Sequence, residues 1–277
     1  MKRILVPTDF SQNAWNALQY ATQVFEHEEC TFFILNVFSV SYASANLMVP
    51  EPGITAYDIS YEKSQIEIQT LVNRPELRNP RHTFEGISKI NFLYEEIHHL
   101  TEEKGIDMIV MGTRGIKSSS KFGIGSNTYT IMEKITDCPI LAVPENCEFH
   151  GFKEILFPTS FDIAYKSNEI SPFISFIKDF TSTVRILNIR EEDNLTLQQE
   201  DHRKKLEEDL TGLEYTFHTL TGIDPAMGIK CFSQSRNIDL IALISRKHNI
   251  FYKLMNRNIL KDINYEITIP LLVMHHQ

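Results

Sequence analysis

Short apolar runs recur along this chain, separated by segments whose apolar residues fall at helical spacing. Ile4-Leu-Val6, Phe32-Phe-Ile-Leu35, Met108-Ile-Val-Met111 and Ile140-Leu-Ala-Val143 are too short for helices and too continuous for strands with one wet face. Such runs suit parallel strands covered on both faces. They predict strands over 2–7, 31–37, 107–111 and 139–143, with a further strand near 81–85 ended by Gly86. Ala14, Ala17, Leu18, Ala21, Val24 and Phe25 form one helical face behind Ser11, a suitable N-cap. A polar helix over 57–73 stops before Pro75, and residues 38–56, with Pro50, Pro52 and Gly53, read as a long loop. Ile90, Leu93, Ile97 and Leu100 mark an amphipathic helix before Gly105, a good C-cap. Thr128, Ile131, Met132 and Ile135 mark another that starts at Ser126. Strands alternating with helices in this way predict an α/β fold, doubly wound around a parallel sheet.

The series then starts again. Ile4-Leu-Val-Pro-Thr8 is echoed by Ile155-Leu-Phe-Pro-Thr159, and Ile34-Leu-Asn-Val37 by Ile186-Leu-Asn-Ile189. Asp107-Met-Ile-Val110 is echoed by Asp239-Leu-Ile-Ala242, and Cys138-Pro-Ile-Leu-Ala-Val143 by Ile269-Pro-Leu-Leu-Val-Met274. Constant order with a shortened middle predicts two homologous domains, 1–146 and 152–277, the second having lost part of its second loop and helix.

Composition narrows the function. A net charge of −9 argues against a nucleic-acid surface, which needs clustered Lys and Arg. Cys30, Cys138, Cys147 and Cys231 are scattered and form no CxxC pair, as expected of reduced thiols in a cytoplasmic protein. No apolar run approaches the ~20 residues that span a bilayer. Neither a Gly-x4-Gly-Lys-[Ser/Thr] loop nor a Gly-x-Ser-x-Gly elbow is present, and no His/Cys cluster has metal-ligand spacing. His275 and His276 sit at the chain's end, a context too mobile to interpret.

The candidate chemistry lies at Gly112-Thr-Arg-Gly115, followed by Gly125-Ser126. Strand, glycine-punctuated loop and helix start is an arrangement in which backbone N–H groups can cradle phosphate. Glycine permits positive φ and close approach of a ligand, and the helix N-terminus favours an anion. A loop after a parallel strand also lies at the carboxyl edge of the sheet, where open α/β folds bind ligands. The second half is an internal control. It places Ile244 opposite Gly112, Arg246 opposite Arg114, Lys247 opposite Gly115 and Ser160 opposite Asp9, and it has no glycine after Gly228. The glycines are therefore not needed merely to turn the chain.

Gly112-x2-Gly115-x9-Gly125-Ser126, with Val6-Pro7-Thr8-Asp9-Phe10-Ser11 and the duplication, resembles the nucleotide-binding signature of universal stress proteins. The resemblance covers essentially the whole chain, the second half carrying the framework only. It implies two tandem Rossmann-like domains, each a five-stranded parallel sheet of order 3-2-1-4-5 with helices on both faces. It implies one ATP, with magnesium on its phosphates, between the ends of strands one and four of the first domain. By position, Asp9 would meet the ribose or adenine, Pro7 and Thr8 would shape that edge, and Val37 would offer its backbone to the ring. Met111 and Gly112 would begin the phosphate loop, with Arg114 and Gly115 over the phosphates. Gly125, Ser126, Asn127 and Thr128 would supply amides and hydroxyls.

The resemblance further implies pairing of the two domains, in the manner of a dimer, and is compatible with a homodimer and an unidentified protein partner. Hydrolysis needs a group that orients water, and none is evident beside the phosphates. A regulatory ATP-binding protein is the expectation. A slow ATPase and a scaffold with an empty site are the alternatives.

Overall fold

The computed structural model describes residues 1–38, 55–114, 124–191, 194–245 and 268–275. The first half comprises β1 (Lys2–Pro7), α1 (Gln12–Val24), β2 (Cys30–Phe38), α2 (Ala56–Val72), β3 (His82–Ile90), α3 (Leu93–Lys104), β4 (Met108–Gly112), α4 (Ser126–Lys134) and β5 (Ile140–Val143). The second comprises β6 (Glu154–Thr159), α5 (Ser167–Ile177), β7 (Thr183–Arg190), α6 (Leu197–Asp209), β8 (Glu214–Thr221), α7 (Pro225–Arg236), β9 (Leu240–Ser245) and β10 (Leu271–His275). Local chemistry sets several ends. Ser11 Oγ accepts from the Ala14 N–H at 3.1 Å, Thr55 and Asp58 form a capping box on α2, and Gly105 ends α3 at φ 60°.

The strands form one sheet of order β3-β2-β1-β4-β5-β10-β9-β6-β7-β8. Each half has the order 3-2-1-4-5 in its own numbering, and every pairing within a half is parallel. The halves meet antiparallel at β5 and β10, where Leu141 faces Leu272 and Ile140 faces Val273. The carboxyl edges of the two half-sheets consequently point in opposite directions.

Two apolar layers cover the sheet. One joins the halves, since Trp15, Phe25, Leu141, Phe152, Phe173 and Leu272 belong to a single buried cluster. The Phe25 and Phe176 rings meet edge-on with centroids 6.3 Å apart, bringing α1 against α5. Asn16 Nδ2 donates to the carbonyls of Pro144 and Cys147, which ties the connecting segment to α1. The other layer packs α3, α4 and α7 on the opposite face.

Three expectations need correction. Gly86 does not end β3 but sits inside it, because a Cβ there would collide with Ile68 Cγ2 of α2. The glycine serves a close helix–strand approach rather than a turn. Ile90 belongs to that strand, and α3 starts at Leu93. His275 is no loose end: it closes β10 opposite Ser245, and its Nε2 lies 2.7 Å from the Met132 carbonyl of α4. Among the described residues no helix is long and apolar enough to cross a membrane.

Candidate functional site

Strands β1 and β4 are neighbours, with Ile4 beside Met108 and Leu5 beside Ile109. Carried forward, that register sets Thr8 beside Gly112 at the carboxyl edge. Because β2 follows on one side and β5 on the other, this is the point where the winding reverses and a crevice opens. Each flank of the crevice is fixed by its own bonds.

On the β1 flank, Thr8 is buried and pinned three times. Its N–H donates to the Leu35 carbonyl at 2.8 Å, its carbonyl accepts from Asn36 Nδ2 at 2.8 Å, and its Oγ1 accepts from the Phe10 N–H at 3.0 Å. Phe10 has φ 60°, a reversal that turns the chain sharply after Asp9. The Asp9 carboxylate accepts from the Ser11 N–H at 3.1 Å and remains exposed at the edge. Pro7 is the last residue of β1, and Val37 is half-buried in β2 beside Lys89 of β3.

On the β4 flank, Met111 is buried beneath the edge and Gly112 is the last strand residue rather than the first of the loop. The Thr113 N–H donates to the Val143 carbonyl, and the Thr113 carbonyl accepts from the Gly125 N–H at 2.7 Å. Both ends of the loop are thus clamped together. Gly125 is the N-cap of α4, followed by Ser126, Asn127 and Thr128 as the first three helical residues. Gly125 has no side chain to cap that helix, and among the described residues no side chain takes the first-turn N–H groups, which a helix start leaves without an intrahelical acceptor. Ser126 and Asn127 are exposed there. Thr128 is buried and its hydroxyl donates to the Gly112 carbonyl at 2.8 Å, a structural tie rather than an open contact.

The reason for the glycines differs from the expectation of positive φ. Gly125 has φ −65°, and Gly112 is not among the positive-φ residues. What Gly112 provides is space: a Cβ there would stand 2.7 Å from Asn13 Nδ2, which itself donates to the Arg114 carbonyl at 2.6 Å. Asn13 was not singled out from sequence, although a polar residue beside Ala14 on the buried face of α1 is a signal. It is 5 % exposed, and its Oδ1 is buried without a hydrogen-bond partner among the described residues. Arg114 lies 3.7 Å through Nη1 from Glu145 Oε2, so its guanidinium is directed toward the segment joining the halves. Gly115 lies outside the described residues, as do Arg246 and Lys247.

The second half fills the equivalent place. Ile244, buried, stands where Gly112 stands, and Tyr165 donates its hydroxyl to Thr159 Oγ1 at 2.9 Å. Ser160 replaces the carboxylate of Asp9. Among the described residues, then, only the first half brings an acidic side chain, a glycine strand end and an uncapped helix start to one edge.

Fold and edge together define a tandem Rossmann-like α/β protein with an anion-favouring helix start at the switch point of its first half. The sequence model described as the universal stress protein family matches residues 1–144, and the chain belongs to that family. A universal stress protein of Methanocaldococcus jannaschii is 26% identical over 155 residues, covering 51% of this chain and 94% of the relative. The crystal structure of a universal stress protein from Archaeoglobus fulgidus superposes with TM-score 0.69 at 17% identity, covering 99% of this chain and 96% of that one. A putative universal stress protein from Pseudomonas aeruginosa superposes with TM-score 0.56 at 11% identity, covering 99% and 93%. The chain is roughly two such domains in tandem.

Proposed function

We propose that this protein binds one ATP, with magnesium held on the phosphate oxygens, at the β1–β4 edge of its first half, and that the bound nucleotide sets a regulatory state in a stress response. The observation that carries the proposal is the uncapped start of α4, clamped by the Thr113–Gly125 bond onto the edge that Asp9 borders. The amides of a helix's first turn and the helix dipole favour phosphate. The Asn13 Oδ1, buried and unpartnered among the described residues beside Gly112, fits a site whose polar groups await a partner. Ser126 and Asn127 would donate to phosphate, Asp9 would accept from a ribose hydroxyl or an amino group, and Val37 would border the base. Magnesium needs few protein ligands when phosphates supply its oxygens.

No carboxylate or histidine of the described edge stands beside the amides of α4 to activate water, which favours binding over turnover. In this reading residues 1–146 form the nucleotide-binding unit and 152–277 its structural companion, in a cytoplasmic protein.

The test is equilibrium titration with Mg-ATP of the wild type and Ser126→Pro. Proline is tolerated at the first helical position and removes one N–H donor there. Loss of a charge-assisted bond should weaken binding about tenfold with an unchanged fold. Unaltered affinity would remove α4 from the site.

A further inference from the structure

The second half contains a feature that the first has closed. In the first half, Asn36 donates through Nδ2 to the Thr8 carbonyl, while its Oδ1 accepts from Ser64 Oγ of α2 at 2.8 Å. Ser64 in turn bonds Ser88 of β3 at 2.7 Å, so the group is satisfied beneath the helix. Its counterpart Asn188 keeps the first bond, donating to the Thr159 carbonyl at 2.9 Å. That bond fixes the amide orientation and leaves Oδ1 as the remaining atom to be satisfied. Asn188 is 3 % exposed, and this Oδ1 is buried without a hydrogen-bond partner among the described residues.

The cause is a residue exchange on the neighbouring strand. Gly86 pairs with Ile34 of β2, and Phe217 pairs with Ile186 of β7 at the same place in the second half. Where Ile68 of α2 settles onto a glycine, α6 meets an aromatic ring. Arg203 of α6 lies over the Phe217 ring at 4.2 Å from its centroid. A cavity of about 410 Å³ remains between α6 and the ends of β7 and β8. This is within the range of small-molecule sites, about 300–1,000 Å³. Phe161, Phe217 and Leu195 give it apolar walls, and Asn188 lies in its lining. Arg190, Arg203 and Lys204 line it with Glu200 and Glu207, one more cation than carboxylate; Arg203 Nε lies 3.4 Å from Glu207 Oε1, and Lys204 Nζ lies 3.9 Å from Asp201 Oδ1 on the exposed side of α6.

We propose that this cavity is a second ligand site, specific for a small aromatic anion that carries an N–H or O–H donor. The donor satisfies Asn188 Oδ1, whose burial unpaired is otherwise costly. The ring lies among Phe161, Phe217 and Leu195, and the anionic group meets Arg190 and Lys204. The site belongs to the carboxyl edge of the second half, which points away from the β1–β4 edge of the first. Occupancy here is therefore distinct from the nucleotide proposed above.

The experiment uses the full chain labelled with nitrogen-15 and follows the side-chain amide signals of Asn188, assigned by their loss in Asn188→Asp. The probes are 4-hydroxyphenylacetate, a carboxylate, and uridine 5′-monophosphate, a phosphate. A saturable shift with either probe at millimolar concentration is expected, and the one that acts identifies the anionic group. Thr219 is exposed at the cavity, so Thr219→Trp should plug it without unfolding the strand and abolish the shift. Lys204→Glu should weaken binding about tenfold through charge reversal. No shift with either probe, which would leave a cavity holding water only, overturns the proposal. So does a shift that survives Thr219→Trp.

Discussion

Asn13 occupies the space that a side chain on Gly112 would need. A Cβ at Gly112 would stand 2.7 Å from Asn13 Nδ2 and 3.1 Å from the Asn13 carbonyl oxygen, while the same Nδ2 holds the Arg114 carbonyl at 2.6 Å. Strand end, helix start and loop entry are locked through one amide. Gly112→Ala should therefore cost about 1–3 kcal/mol by overpacking. It should also break the Asn13–Arg114 bond and weaken ATP binding. Asn13→Ala removes the side-chain part of the clash, so the two changes together should cost less than their sum. A double-mutant cycle by urea unfolding measures this, and strict additivity would separate the two residues.

The antiparallel pair Leu141–Leu272 makes a prediction about cooperativity. Both side chains are fully buried in the layer that joins the halves. Leu272→Ala should cost about 2–5 kcal/mol, the usual penalty for a cavity in a well-packed core. Because that layer is continuous, wild type and variant should each unfold in one transition by fluorescence and by circular dichroism. Two separated transitions in the wild type would mean that the halves are independent.

Acid should loosen the same seam. Burial pushes the His275 imidazole below its ordinary range, against the opposing pull of the Met132 carbonyl and Asp137. His218 is shifted the same way, first by burial and then by Arg236 and Arg185. In each case the unfolded chain takes up the proton first. Stability is then fully present above the unfolded value, about 6.5, and is lost as pH falls toward the lowered folded value. His275→Gln keeps a donor for Met132 but cannot titrate, so it should flatten part of the decline in urea midpoint on acidification. An identical pH profile in the variant would exclude His275 as a contributor.

The strands of the first half were legible because each apolar run is bounded by charge or by turn residues. Lys2–Pro7 lies between a charged start and Thr8-Asp9, and Ser11 and Gly105 cap their helices by local chemistry alone. Gly86 was misread because its reason resides in Ile68, on another element. His275 was misread because its bonding partner, Met132, lies in the other half. The same limit applied at the edge. Strand order brings Thr8, Asp9, Gly112 and residues 125–128 together, and that order follows from the pattern. The Asn13 bond to Arg114 and the turn of Arg114 toward Glu145 are contacts between distant segments, which no spacing rule encodes.

The most direct test of the nucleotide proposal is the amount and identity of nucleotide released by acid from the purified full chain. The account predicts ATP, close to one per chain and not two, because Ile244 and Tyr165 fill the equivalent place in the second half. ADP would transfer the first-half site to an ATPase. No nucleotide, together with no binding of added Mg-ATP, would contradict the central claim and leave the β1–β4 edge a scaffold.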